Sequence, residues 1–342
     1  MNKTKSEFQK NYSTHLLNLD KNEKIEVLST GNLQLDAALE CGGIPRGRIT
    51  EVYGNESSGK STLALEMIKS CQSNDGKVLF IDVEGSVDPN YLNNLGISLD
   101  KLLVAQPTSG ELVFQMIEDA LVDDLFDLII IDSVAAMMSI VEQDVKFQDP
   151  SLLGAHARMM SRGLRKIQTL MYKSKTAIVF INQIREKIGV YFGNPEVTTG
   201  GKALRFFATI RMEVKKVDLI KQGTEKIGIK SKITITKNKL GKPYNYAHIN
   251  IYFNEGFDYT KDITDFALSK EIIIRKGAWF YYNEIKIGQG TNSVYKFLND
   301  NPEILKEIEN KLSLNNNDNN IEENNIDNAI NISQNNSIEQ VI

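Results

Sequence analysis

Five stretches of this chain are apolar almost throughout: ITEVYG (49–54), KVLFIDVEG (77–85), KLLVAQP (101–107), LFDLIIIDSVAAM (125–137) and TAIVFINQ (176–183). Between them run segments with apolar residues at helical spacing, from Lys60 to about Ser73, then PNYLNNLG (89–96), GELVFQMIEDALVDD (110–124) and LLGAHARMMSRGLRKIQTLMYKSK (152–175). Short apolar strands alternating with amphipathic helices predict βαβ units and a mostly parallel sheet. After Arg205 the period becomes two. ATIRMEVKKV, KSKITITKNK and HINIYFNEG predict antiparallel strands that extend the same sheet. The expected class is α/β, a twisted sheet flanked by helices over residues 21–258. A short helix, SEFQKNYSTHLLNL, is expected within residues 1–20. A small α+β unit over 259–314 reads as helix, hairpin, helix. Residues 315–342 hold five acidic residues and no Lys, Arg or aromatic. Such a segment cannot bury enough apolar surface to offset its ordering entropy, and it reads as a disordered acidic Asn-rich tail.

One segment fits neither period. KIGVYFGNPEVTTGG (187–201) follows a buried strand and is rich in glycine, threonine and aromatics. Loops of this length are usually functional or disordered. The rest of the composition is that of an ordinary globular protein, 41% hydrophobic and 25% charged. No apolar run of about 18 residues is present, so no membrane span is expected. The first twenty residues lack a signal-peptide core. Two cysteines, Cys41 and Cys71, and three scattered histidines support neither a disulfide framework nor zinc. A cytoplasmic location is expected. A net charge of −4 argues against a protein that coats nucleic acid by bulk charge. Yet residues 158–242 carry 20 Lys and Arg against 5 Asp and Glu. Such a basic surface is either a footprint for a phosphate polyanion or a solvated face.

The strongest chemical signal is G-x-x-x-x-G-K-S: Gly54, Asn55, Glu56, Ser57, Ser58, Gly59, Lys60 and Ser61, with Thr62 next. It follows a predicted strand and opens a predicted helix, the context a phosphate loop needs. Glycines let successive N–H groups point inward, and the helix N-terminus adds partial positive charge. Lys60 then faces the β and γ phosphates of ATP, and the Ser61 hydroxyl ligates Mg²⁺. Asp132, ending DLIIID at the carboxyl edge of the sheet, is the second Mg²⁺ candidate, binding directly or through water. Glu84, in FIDVEG, ends what reads as a strand next to that of the phosphate loop. There it is a candidate to activate the water attacking the γ-phosphate, against a plain surface-turn carboxylate. Gln183, at the head of the long loop, is a candidate γ-phosphate sensor.

These residues, in this order, closely resemble the bacterial RecA recombinase family. The likeness runs through STGNLQLDAALECGGIPRGRITEVYGNESSGKSTLALE, LLGAHARMMSRGLRK, FINQIREKIGVYFGNPEVTTGGKALRF, GAWFYYNEIKIGQG and DNPEILKEIENKL, roughly residues 20 to 312. It implies a RecA-type P-loop ATPase core, a short N-terminal helix for contact between protomers and a small C-terminal domain. It implies a helical filament on single-stranded DNA that pairs with duplex DNA and exchanges strands. It makes Glu84 the water activator and Gln183 the switch between nucleotide and DNA. Asp88 and Tyr91 match positions lining the adenine pocket. Lys237 and Lys239 match lysines that reach a neighbour's ATP.

Residues 187–201 match the family's second DNA-binding loop, and MSIVEQDVKFQDPSLLG matches its first, with Leu153 and Gly154 at the end. The resemblance therefore assigns DNA contact to Leu153, Gly154, Arg158, Arg165, Arg185, Lys187, Ile188, Thr199, Gly200, Gly201 and Lys202. Relatives also stimulate self-cleavage of a repressor, a further partner to expect. The first loop is one residue longer than usual here, and Phe253 stands where the family often has tyrosine. Tyr12 is the expected apolar knob of the N-terminal contact. Two other readings compete: a hexameric helicase or ring motor on the same core, and a non-hydrolysing DNA-coating or regulatory protein.

Overall fold

In a computed structural model of the chain, the residues described are Lys10, 25–145, 149, 152–186 and 196–313. Apart from Lys10, the expected N-terminal helix with Tyr12 lies outside them, as do the acidic tail over 315–342 and Lys187 and Ile188.

Two short strands, β1 (Val27–Leu28) and β2 (Ile44–Pro45), pair antiparallel on either side of α1 (Leu33–Ala38). The chain then forms β3 (Ile49–Gly54), α2 (Lys60–Ser73), β4 (Val78–Asp82), α3 (Pro89–Asn94), β5 (Leu102–Ala105) and α4 (Gly110–Val122). It continues through β6 (Leu128–Asp132), α5 (Ile140–Asp144), α6 (Ala155–Met171) and β7 (Ala177–Glu186). A short strand, β8 (Glu196–Thr198), folds back antiparallel on β7 and leads to α7 (Ala203–Phe207). Four strands complete the sheet: β9 (Ile210–Gln222), β10 (Glu225–Asn238), β11 (Tyr246–Tyr252) and β12 (Gly256–Phe257).

Across the sheet the order is β5-β4-β6-β7-β3-β9-β10-β11-β12. From β5 to β9 every neighbour is parallel, and from β9 onward every pair is antiparallel. β3, β4, β6 and the first part of β7 are buried on both faces, which is why they read as continuous apolar runs, whereas the edge strand β5 is partly exposed. In β7, Val179 and Ile181 face a core shared with Leu63 and Ile68 of α2. Ile178 and Phe180 face a second core with Val113 and Ile117 of α4 and Met160 and Leu164 of α6. Each such side chain contributes roughly 1.5–3 kcal/mol of burial.

The strand order corrects one expectation. β4, which leads to Glu84, is not next to β3, because β6 and β7 lie between them. After β3 the chain crosses over α2 and leaves a gap that β6 and β7 later fill. Such a gap is where α/β sheets open a crevice for ligands.

The C-terminal unit is α8 (Tyr259–Ser269), β13 (Ile274–Lys276), β14 (Trp279–Tyr282), β15 (Ile285–Gln289), α9 (Thr291–Asp300) and α10 (302–313). It has a separate core around Phe266, Phe280, Ile287, Leu298 and Ile308, against which Leu33 and Ala37 of α1 pack. The expected hairpin is a three-stranded sheet, since 274–276 also pairs. The expected final helix is two helices. Pro302 lacks an N–H and disfavours helical geometry in the residue before it, and Asn301 is accordingly non-helical (φ −130°, ψ 72°).

Candidate functional site

β3 ends at Gly54, and the chain turns through Asn55, Glu56, Ser57, Ser58 and Gly59 before Lys60 opens α2. Ser57 (φ +54°) and Gly59 (φ +97°) are left-handed and wind the turn inward. Gly59 also packs closely, for a Cβ there would lie 2.3 Å from Ile251 Cδ1. No side chain caps α2, so its first N–H groups remain available to an anion. Lys60 Nζ donates to the Asn55 carbonyl at 2.7 Å. Burial pulls the Lys60 amine below its ordinary pKa, opposed by Asp132, Glu84 and Glu56. The Ser58 hydroxyl is buried without a partner. An unsatisfied hydroxyl, a cation resting on a loop carbonyl and an open helix N-terminus suit a polyphosphate.

Ser61 sits on the first turn of α2, and its hydroxyl hydrogen-bonds Asp132. Burial pushes the Asp132 carboxyl up to about 6; the Ser61 bond resists, Glu84 adds to the rise, Lys60 opposes it and Asp82 adds again. A desolvated carboxylate beside a hydroxyl is a hard oxygen pair that suits Mg²⁺. Among the described residues no three His, Cys, Asp or Glu side chains converge to hold a metal. That fits an ion completed by phosphate oxygens and water, the usual arrangement for Mg²⁺.

Glu84 lies two residues beyond β4. Its Oε1 accepts from Gln183 Nε2 at 3.2 Å and from the Ser133 hydroxyl. The intended base, the intended sensor and the residue after Asp132 therefore meet at one oxygen. β3 and β7 run in register with Gly54 opposite Gln183, so the phosphate loop and Gln183 leave the sheet at one level. Tyr91 OH stands 3.4 Å from Thr62 Oγ1, which brings it to the same turn. Asp88 caps α3, its Oδ1 accepting from Asn90 N at 2.9 Å.

The expected DNA-facing residues gather around β7, β8 and α6. Thr198 pairs with Ile184 and Val197 with Arg185, so residues 187–195 are bracketed by a hairpin. At its base Thr199 N donates to Gln183 O at 3.3 Å. The Thr199 hydroxyl is turned inward to Asn182. Gly200 (φ +82°) and Gly201 (φ +76°) make two successive left-handed steps, and exposed Lys202 then precedes α7. Gly200 rests against Met160 of α6 and Val134. Gly154 (φ +73°) starts α6, beside Leu153, which is 79% exposed. Arg158 Nη1 donates to Leu153 O at 2.8 Å, and exposed Arg165 lies two turns further along the same face of α6. Arg185 is exposed as well. Part of the expected first loop is the helix α5, closed by a capping box between Ser139 and Glu142.

Lys237 and Lys239 stand at the end of β10. Lys237 Nζ donates to Arg205 O (2.7 Å) and Phe206 O (3.0 Å), the last carbonyls of α7. Burial, then Lys239 and Arg211, pull its amine down to about 8.

Sequence reasoning missed Ser133, Asn182, Glu51, Arg211 and His156. Glu51 and Arg211 are buried and paired. Their signal was available, since a charge inside an apolar strand needs a partner. Asn182 sits in TAIVFINQ as a polar residue among apolar ones. His156 donates to the Val134 carbonyl; burial holds its imidazole below the usual range, with Glu142 opposing and Arg185 assisting.

A family model described as the RecA N-terminal domain matches residues 1–258, and one described as the RecA C-terminal domain matches 261–316. "Protein RecA" of Ureaplasma parvum is 52% identical over 291 residues, covering 85% of this chain and 87% of that protein. "Protein RecA" of Malacoplasma penetrans is 48% identical over 302 residues, covering 88% and 92%. "Protein RecA" of Clostridium tetani is 44% identical over 288 residues, covering 84% and 82%.

Proposed function

Because this chain belongs to the RecA family, we propose that its nucleotide site and its DNA-facing hairpin act as one unit joined at Gln183. The protein is a DNA-dependent ATPase of homologous recombination and repair. The observation that carries the proposal is the position of Gln183: its side chain is on Glu84 and its carbonyl is on Thr199.

Bound MgATP supplies the electrophilic phosphorus and the neutralised phosphate charge; this chain's residues do the rest. The N–H groups of the 54–60 turn and Lys60 hold the phosphates, and Ser61 and Asp132 hold the metal. Tyr91 borders the base. Ser133 and Gln183 fix Glu84 through one oxygen, which leaves Oε2 to take a proton from the attacking water. A γ-phosphate offers the Gln183 amide a second acceptor. A shift there reaches residues 196–199 through the β7–β8 ladder.

Leu153, Gly154, Arg158, Arg165, Arg185 and the Thr199–Lys202 turn, with Lys187 and Ile188, form the surface for single-stranded DNA. Cations there counter phosphate, and contact to the backbone leaves sequence reading to base pairing. Lys237 and Lys239 reach the nucleotide of a neighbouring protomer. ATP then binds the polymer better than the monomer and drives a filament. Duplex DNA is the second substrate. Among the described residues no helix is long and apolar enough to cross a membrane.

The test is ATP turnover with and without single-stranded DNA, with the same sample imaged. Stimulation of about tenfold or more, together with helical filaments, is expected. Equal turnover in both arms sinks the proposal. The ring-motor alternative requires closed rings and unwinding of a forked duplex, and the match of both RecA domain models disfavours it.

A further inference from the structure

Three strands carry buried polar side chains that the nucleotide chemistry does not use. Asn182 of β7 and Glu51 of β3 are each 0% exposed. Asn182 Nδ2 donates to Glu51 Oε1 at 3.0 Å and to Thr199 O at 3.1 Å. Its Oδ1 accepts from Gln183 N at 2.9 Å and from the Thr199 hydroxyl. That uses both donors and both lone pairs of the amide, so its orientation is fully specified. Glu51 is fixed in turn: its Oε2 accepts from Arg211 Nε on β9. The Arg211 guanidinium stacks 4.3 Å from the Tyr53 ring centre, and Tyr53 OH meets Thr236 Oγ1 at 2.9 Å.

A buried carboxylate and guanidinium form a rigid support when further hydrogen bonds hold them. Here one Glu51 oxygen accepts from Arg211 and the other from Asn182. One amide therefore ties the backbone of Gln183, on the entering leg of the hairpin, to both the hydroxyl and the carbonyl of Thr199, on the leaving leg. The two residues are 16 apart in sequence, and one backbone bond, Thr199 N to Gln183 O, joins them otherwise.

We propose that Asn182 is a positioning residue, a clamp on Glu51 that holds the two legs of the 187–195 segment in register so that a change at Gln183 moves Thr199. This rests on the switch reading above. Arg211, Glu51 and Asn182 are the fixed side of the hinge, and Thr199 is the driven side. Without the clamp, Gln183 still touches Glu84, but its displacement is absorbed at the hairpin base.

The test uses the full chain as wild type, Asn182→Ala, Thr199→Val and Thr199→Ser. Two quantities are read: the ratio of ATP turnover with poly-dT to turnover without it, and amide hydrogen exchange of residues 196–201 without DNA, with the amides of β6 as internal reference. In Asn182→Ala the ratio is expected to fall about tenfold. Exchange at 196–201 is expected to speed up about tenfold, with β6 unchanged. Thr199→Val shifts both in the same direction, and Thr199→Ser, which restores the hydroxyl, returns both toward wild type. If Asn182→Ala does not fold, the Thr199 pair decides alone. The clamp is overturned if the ratio stays within about twofold of wild type, or if exchange at 196–201 rises only in step with β6. The exchange arm contains no DNA. A wild type that poly-dT fails to stimulate therefore removes the switch reading, while that arm still rules on the clamp.

Discussion

Two turns of this protein are built alike. Each follows a strand end, passes through left-handed residues and opens a helix: β3 to α2 through Ser57 and Gly59, and β8 to α7 through Gly200 and Gly201. The first winds through Ser57 and Gly59, with Lys60 Nζ on the Asn55 carbonyl, and two neighbouring strands back it: Ser231 Oγ of β10 donates to Ser58 O at 2.7 Å, and Ile251 of β11 packs on Gly59. Its helix of 14 residues keeps an open N-terminus for an anion. The second is held by other parts of the chain. Asn182 fixes its entry, Met160 and Val134 back its first glycine, and Lys237 occupies the C-terminal carbonyls of its five-residue helix. The supports of the first turn do not touch Gln183, whereas the entry to the second is tied through Asn182 to Gln183, which lies on Glu84. On the reading proposed above, that difference separates a turn that grips one ligand from a turn that responds to another site.

The largest expected effect lies in the first turn. Lys60→Ala removes the only lysine of the phosphate loop. ATP turnover should fall about a thousandfold or more, because the developing phosphate charge loses its point-charge partner. Near-normal hydrolysis in that variant would break the comparison at its root. Glu84→Gln comes next. It keeps an oxygen for Ser133 and Gln183 but cannot take a proton, so turnover should fall about a hundredfold while ATP binding persists. Loss of ATP binding along with turnover would move Glu84 from chemistry to structure.

A smaller effect sharpens the second region. Lys237 is pulled down to about 8 by burial and by neighbouring cations. A lysine lowered in the folded state is neutral there between about 8 and its ordinary value, while the unfolded chain still holds the proton. Folding stability from this group therefore rises with pH across that window. Its use as a cation runs the opposite way. ATP-driven self-association, followed by sedimentation, should weaken as pH rises through about 8. Lys237→Arg keeps its charge at every such pH and should flatten the profile. A flat profile in the wild type would detach Lys237 from the neighbour's nucleotide.

The contrast also explains what could be read from the sequence. Gly54 to Ser61 carries its geometry in eight consecutive residues, so strand, turn, helix and phosphate chemistry were all legible together. The central parallel strands were legible because burial on both faces leaves continuous apolar runs. The strand order was not: the insertion of β6 and β7 between β3 and β4 is a crossover choice that no local pattern records. The inward turn of Thr199 was equally hidden, because it depends on a partner 17 residues away whose own amide is set by Glu51. The C-terminal unit shows a milder case. The break at Asn301 was available in Pro302, but the apolar spacing continued across it and outweighed the proline. Residues such as β8 and α7 are too short to carry a periodicity of their own.

The smallest predicted effects are thermal, and they compare the two turns directly. Gly59 and Gly200 are both left-handed, so alanine strains either by about 1–2 kcal/mol. Their surroundings differ. At Gly59 the new methyl would lie 2.3 Å from Ile251 Cδ1, a buried side-chain tip on β11 that has to shift within a packed core. At Gly200 the nearest atoms are Met160 Cγ and Val134 Cγ1, each at 3.2 Å, and methionine yields easily. Gly59→Ala should therefore cost about 2–4 kcal/mol in chemical denaturation. Gly200→Ala should cost nearer to 1–2 kcal/mol, little beyond the backbone strain itself. Equal losses would mean that the second turn is packed as rigidly as the first. A turn so packed has no slack with which to answer Gln183, and the difference between a fixed grip and a responsive one would disappear.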